Sequence, residues 1–247
     1  MSSLQNLVDL HCHLMPYVDD GAYDEDECRE LLRREAEQHV RCICLTPHLR
    51  ADMFETTEEQ VQERFSLVQS LAREAELPLT LYCSREYHFD RLFRRLLETG
   101  KPRPLGEGNT LLVEFSGRHS GEEMLEAVRL VRSRGYTPLI AHVERCQPIH
   151  QDWAFAHSLR EAGALLQINA GSVLGRESLR QRLLCKKLLQ KNLVTVIASD
   201  AHDARLRVPE LGLCAQHLES KYGRGLAQRL LCANPTAILN GRTIRGE

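Results

Sequence analysis

The chain has 247 residues, 43% hydrophobic and 27% charged, which excludes disorder and collagen-like order and allows a sizeable core. Lys and Arg number 32 against 34 Asp and Glu, a formal charge of −2 that is too balanced for a nucleic acid or a membrane surface to be the main partner. No run approaches the ~18 apolar residues of a membrane span. The opening Met1-Ser-Ser-Leu-Gln-Asn lacks an export signal, so a cytoplasmic location is expected. Nine cysteines, an odd number scattered along the chain, suit reduced thiols.

In chain order, strand-like runs at 7–11, 42–46, 79–83, 110–115, 137–141, 165–169 and 195–199 alternate with helical patterns. The helical stretches are 25–38, 57–76, 87–98, 122–134, 153–162, 178–190 and 209–240. This is βα repetition without a linker, read as one domain over residues 1–247. Runs as apolar as Thr137-Pro-Leu-Ile-Ala141 belong to parallel strands covered on both faces. The Gly-rich turn of an open doubly wound sheet is missing after the first strand, so a closed or nearly closed α/β barrel is expected. Function then belongs on the loops at the C-terminal strand ends.

Acids and histidines gather at those ends. The first strand ends in His11 and His13 and is followed by Asp19-Asp20-Gly21; the second runs into His48; Glu86 follows the third. Glu114 lies in the fourth, His142 follows the fifth, and Asp200 and His202 end the seventh. Only the sixth, ending Gln167-Ile168-Asn169, offers no strong ligand. Alternation puts His11 and His13 on one side of an extended segment with Cys12 facing away. Alone, an H-x-H pair is usually chance and Asp19-Asp20-Gly21 a turn. Glu114 inside Leu111-Leu-Val-Glu-Phe115 needs a cation, and the coincidence at six of seven strand ends points to more than one metal. Mixed carboxylate and imidazole ligands suit Zn, Mn or Fe better than Mg or Ca.

Val8-Asp-Leu-His-Cys-His-Leu14, Val18-Asp-Asp-Gly21, Thr46-Pro-His48, Met53-Phe-Glu-Thr56, Val113-Glu-Phe-Ser116, Ile140-Ala-His-Val-Glu-Arg145 and Ile197-Ala-Ser-Asp-Ala-His202 resemble, in order and spacing, the CpsB/CapC-type bacterial protein-tyrosine phosphatases of the polymerase-and-histidinol-phosphatase (PHP) superfamily. The resemblance implies a distorted seven-stranded (β/α)7 TIM-like barrel with three divalent ions, commonly manganese. Carried over residue by residue, it implies one ion on His11, His13, Glu86 and Asp200, and a second, bridged by Glu86, on Glu114 and His142. A third falls to Asp20, His48 and His202. It also implies that Arg145 and Arg207 hold phosphate, and that the substrate is a phosphotyrosine protein, typically the tyrosine-rich tail of an autokinase controlling capsule or exopolysaccharide export. Ser84-Arg85 before Glu86 departs from the small residues of the family pattern.

The reaction so implied is metal-assisted hydrolysis of a phosphomonoester by an activated water, with the arginines on the non-bridging oxygens and His48 or His202 as proton donor. Rival readings are a PHP phosphatase for a small ester such as histidinol phosphate, an amidohydrolase, and a metal-keeping binding module. Cysteine-phosphatase spacing is met by Cys28 with Arg34 and by Cys44 with Arg50. The first pair lies in a helical pattern, and the second encloses Leu45, Pro47 and Leu49 instead of small residues. Met53, Phe54 and Tyr87 are placed either against a tyrosyl ring or in packing. Cys42 and Cys44 read as core, and Arg33-Arg34, Lys186-Lys187 and 242–245 as solvated.

Overall fold

A computed structural model describes residues 4–244; Met1 of the opening segment and Arg245 of the basic tail lie outside the described residues. Strands and helices alternate: β1 (Leu7–Cys12), α1 (Glu25–Glu37), β2 (Val40–Leu45), β3 (His48–Leu49), α2 (Glu58–Glu74), β4 (Thr80–Cys83), β5 (Glu86–His88), α3 (Arg91–Thr99), β6 (Thr110–Glu114), α4 (Gly121–Ser133) and β7 (Thr137–Ile140). A 3-10 turn (Val143–Arg145), α5 (Gln147–Gln151), α6 (Phe155–Glu161), β8 (Leu165–Asn169), α7 (Ala170–Leu174), α8 (Leu179–Gln190) and β9 (Val196–Ala198) follow. The chain closes with α9 (Leu211–Tyr222), α10 (Arg224–Gln228), a π turn (Arg229–Ala233) and α11 (Asn234–Leu239). No helix among the described residues is long and apolar enough to cross a membrane.

The strands form two parallel sheets, ordered β1-β2-β4 and β3-β5-β6-β7-β8-β9. One sheet continues into the other through Thr46-Pro47 and Ser84-Arg85, and Cys12 bridges Ala201 beyond β9. The wall curls accordingly. Seven strands were expected and nine are found, because the second and third are each split in two. Pro47 has no amide hydrogen for the ladder. Arg85 turns its guanidinium aside to donate to His48 O and to Thr56 O and Oγ1, at 3.0, 3.2 and 3.0 Å.

The helices start where local chemistry starts them. Thr57 with Gln60 and Ser120 with Glu123 form capping boxes for α2 and α4. The expected helix at 87–98 begins only at Arg91, because Glu86–His88 pairs as β5 and Asp90 caps the helix through Leu92 N and Phe93 N. The region 209–240 divides into three helices and the π turn.

Two apolar clusters separate the faces of the wall. Outward residues such as Leu7, Cys12, Ile43, Leu111 and Ile197 pack beneath the helices. Val8, Leu10, Cys44, Leu112, Leu139, Leu165 and Val196 pack on the other side, where Leu105, Ile238 and Leu239 join them. On β1 the inward parity changes between Leu10 and Cys12, where the pairing shifts from Asp9 opposite Ile43 to Cys12 opposite Leu45. That extra residue is a β-bulge, and it brings both His11 and His13 to the inner mouth.

Candidate metal centre

The mouth is built from strand ends. His11 Nε2 lies 3.2 Å from His13 Nε2, 3.2 Å from Glu86 Oε2 and 3.3 Å from Asp200 Oδ1. His13 Nε2 is 3.2 Å from the same Glu86 oxygen and 3.7 Å from the same Asp200 oxygen. Four ligands about 2.1 Å from a tetrahedral cation stand about 3.4 Å apart, so these four atoms have the spacing of one coordination shell. His48 Nε2 and His202 Nε2 lie 3.5 and 3.6 Å from Asp20 Oδ1, and His13 joins these three residues in one ligand group. Glu86 reaches His142 Nε2 through Oε1 at 2.9 Å and His48 Nδ1 through Oε2 at 3.0 Å.

All nine expected ligands therefore stand at one mouth, but their grouping differs: His13 joins Asp20, His48 and His202, and the pair expected with Glu86 is divided. Glu114 falls with His48 and Glu86, while His142 falls with His11 and Glu86. No group among the described residues holds Glu114 and His142 together. His88 at the end of β5 donates through Nδ1 to Glu114 Oε1 at 3.1 Å and holds it on that side.

Three of the imidazoles are presented with their ring nitrogens sorted. His11 Nδ1 donates to Gln167 Oε1 at 3.1 Å, His13 Nδ1 to Asp19 Oδ2 at 2.6 Å and His202 Nδ1 to Asp200 O at 3.0 Å. Each bond places the ring hydrogen on Nδ1 and leaves the Nε2 lone pair facing the cluster, the orientation a metal ligand requires. Buried Glu86 Oε2, Asp200 Oδ1, His48 Nδ1, His142 Nδ1 and His202 Nε2 have no hydrogen-bond partner. Orphans this deep are costly unless a cation or ordered water engages them. The donor set fits divalent cations.

The charges agree. Burial opposes ionisation of Glu86, yet His11 and His48 hold it well below the usual carboxylate range. Asp200 is held down against burial by His11, Arg145 and Arg207. Burial pushes His202 down to about 2, with His13 beside it, so this imidazole is neutral. Burial opposes protonation of His13, His48 and His142 too, but Asp19 raises the first and Glu86 the other two. Cation binding would displace those protons.

Local backbone chemistry aims the remaining groups. His142 (φ 32°) and Asp200 (φ 53°) adopt the left-handed region at their strand ends. The 3-10 turn after His142 carries Arg145 round so that its Nη1 donates to Asp200 Oδ2 at 2.8 Å. Arg207 Nη2 donates to the same oxygen at 2.7 Å. Glu177 accepts from Arg145 Nε and Nη2, both at 3.0 Å, in a bidentate pair. Gly21 permits the first loop to fold back, since a Cβ there would lie 1.9 Å from His13 O.

Other expectations resolve differently. Tyr87 is fully buried, stacked on Phe93 and bonded to Arg103 O, so it is core and not a site residue. Phe54 stacks on His48, its ring 5.3 Å away, and Met53 is exposed. Cys28 in α1 and Cys44 in β2 are buried; burial pushes the first thiol up to about 12 and the second well above its usual value, which disqualifies both as nucleophiles. Cys42 is only half-buried, and Arg34 reaches Ala204 O at 2.7 Å instead of standing free in solvent. Asp19, read from the sequence as part of a turn, Gln167 and Asn169, read as no strong ligands, and Glu177, which no pattern marked, all support the site. Gln167 Oε1 also accepts from His142 N at 2.7 Å, and Asn169 Nδ2 donates to Asp200 Oδ2 at 2.7 Å. The strand without ligands thus positions the ligands of its neighbours. Its signal was two amides on the inward parity of an apolar strand.

Residues 7–240 match the family described as capsular polysaccharide synthesis, CpsB/CapC. The chain belongs to the CpsB/CapC family. Among its relatives, tyrosine-protein phosphatase CpsB of Streptococcus pneumoniae is 30% identical over 96% of this chain and 100% of that one. Tyrosine-protein phosphatase YwqE of Bacillus subtilis is 27% identical over 96% and 93%. A crystal structure from work on YwqE and CpsB, described as unique metal-dependent tyrosine phosphatases, superposes with a TM-score of 0.89 at 27% identity over 96% of both chains. The phosphotriesterase of Mycobacterium tuberculosis, at TM-score 0.56, 14% identity and coverage of 95% and 94%, shares the fold of this CpsB/CapC chain.

Proposed function

We propose that this chain is a metal-dependent protein-tyrosine phosphatase, a phosphoric monoester hydrolase of capsule or exopolysaccharide synthesis. The observation that carries the reading is the convergence of oriented imidazole lone pairs, orphaned carboxylate oxygens and two arginines on Asp200 at one mouth. We read the nine strand segments as seven strands of one distorted barrel forming a single domain over residues 1–247. Three cations, manganese before iron or zinc, would be held by His11, His13, Glu86 and Asp200; by Glu86, Glu114 and His142; and by Asp20, His48 and His202. Bound there, they supply a water nucleophile available near neutral pH and neutralise phosphate charge.

The chain's own groups do the rest. Arg145 and Arg207 offer their guanidinium groups to the non-bridging oxygens, where charge develops as the phosphoryl group transfers. Glu177 fixes one face of Arg145, so the fork points to Asp200 and the mouth. The tyrosyl leaving group has a conjugate acid of pKa about 10 and asks little of a general acid. Of the two imidazoles expected as donors, His202 is neutral with its hydrogen committed to Asp200 O, and His48 would give up its proton to the cation it helps hold, so neither serves as donor once the site is loaded. The partner in this reading is the phosphorylated tyrosine-rich tail of a tyrosine autokinase, in the cytoplasm.

The test is turnover of p-nitrophenyl phosphate and a phosphotyrosyl peptide after chelation and again after Mn is restored. Activity is lost and then regained, with phosphotyrosine preferred to phosphoserine and histidinol phosphate. Preference for histidinol phosphate overturns the protein-phosphatase reading, and stoichiometric metal without hydrolysis leaves a binding module.

A further inference from the structure

Seven large apolar side chains stand exposed among the described residues, and four of them, Tyr17, Tyr23, Met53 and Leu206, lie on the loops at the strand ends that carry Asp20, His48 and His202. The other three, Leu179, Leu183 and Leu213, are on α8 and α9. Apolar groups gathered at a site mouth mark a surface that something covers. Tyr23 and Leu206, 82% and 88% exposed, line a cleft of about 510 Å³ together with Asp24, Glu27, Asp203 and Arg205.

The acids of this cleft are already committed. Asp24 accepts from Glu27 N at 2.9 Å as the cap of α1. Glu27 accepts from Tyr23 N at 2.8 Å and Ala204 N at 3.1 Å, tying the first loop to the last. Asp203 accepts from the backbone amides of Arg205, Leu206 and Arg207. They shape the cleft, and a ligand meets the tyrosyl and leucyl walls with the exposed Arg205 beside them.

Position ties the cleft to the metal centre. Asp203 directly follows His202, and Tyr23 is three residues from Asp20, a span of at most about 11 Å that an extended peptide covers in the same number of residues. We propose that this cleft receives an apolar side chain lying within three residues of the phosphotyrosine, which makes Tyr23 and Leu206 specificity-determining residues for a polypeptide substrate. This rests on the phosphatase reading. A free phosphomonoester has no group that reaches the cleft.

The test uses the Mn-loaded chain, the single variants Tyr23→Ser and Leu206→Ser, and the double variant. Their substrates are p-nitrophenyl phosphate and two phosphotyrosyl peptides, one with leucine and one with glycine at the three positions on either side. The unmodified chain favours the leucine peptide about tenfold in kcat/KM, the gain expected from burying one apolar side chain. The double variant loses that preference through KM with kcat unchanged, and hydrolyses p-nitrophenyl phosphate as before. Equal kcat/KM on both peptides for the unmodified chain, or a variant that slows all three substrates alike, overturns the proposal. Absence of turnover on every substrate removes the phosphatase reading and this inference with it. Hydrolysis of the aryl ester with no peptide preference removes only the inference.

Discussion

On β6 and β8 the floor and the mouth of the curled wall are made by the same strand with the same inward parity, yet they are opposite environments. On β6, Leu112 lies in the inner apolar cluster and Glu114, two residues on, faces the metal centre. On β8, Leu165 belongs to the floor, while Gln167 and Asn169 above it bond to His11, His142 and Asp200. Two residues along a strand is about 7 Å, and within that rise packing gives way to unsatisfied polarity. The floor is closed by apolar contact and asks nothing further. The mouth gathers carboxylates and imidazoles whose burial is tolerable only with counter-charge.

Breaking the mouth has the largest expected effect. Glu86→Gln keeps the side-chain shape but removes the charge that faces His11, His13, His48 and His142. Metal analysis then shows loss of bound cation, and turnover falls by about a thousandfold or more, comparable to removing a principal electrostatic group. Breaking the floor separates the two regions: Leu112→Ala lowers unfolding free energy by about 2–5 kcal/mol in denaturant titration. Metal content and kcat at low temperature are retained.

The layer between them is probed by Gln167→Leu, which frees His11 Nδ1 and His142 N from their shared acceptor. Cation affinity drops about 10–100-fold by titration calorimetry, with the fold intact. The smallest effect comes from behind the wall. Burial, and then Asp9, raise the Glu35 carboxyl well above its usual 4.5. The native chain therefore keeps a proton that the unfolded chain releases above that value, and stability falls as pH rises from about 4.5 toward the native pKa. Glu35→Gln removes that slope and stabilises the chain at pH 8 by about 1 kcal/mol, read from melts across pH.

The mouth was legible in the sequence because an acid or histidine at the end of an apolar run is buried with it, and burial there is costly without a cation. Glu114 is the plainest instance. The choice between Asp19 and Asp20 was not legible: both precede the same glycine, yet one buries itself against His13 Nδ1 and His48 N and the other faces Nε2 of His48 and His202. Tyr87 was decidable in principle, since a neighbour of inward Glu86 points outward on a strand. Of the two strand splits, the one at Pro47 was marked by its missing amide hydrogen, while the one at Arg85 depended on where the guanidinium finds partners, which no local pattern states. Glu177 lies 32 residues beyond Arg145, and only the folded chain brings them together.

The bulge in β1 makes the mouth depend on a residue count. Side chains on a strand point by parity, so deleting Leu10 would turn His11 and His13 together away from the mouth while leaving every metal-competent group in the sequence present. A graft of this histidine pair onto another parallel strand would therefore have to transplant the irregular spacing along with the side chains.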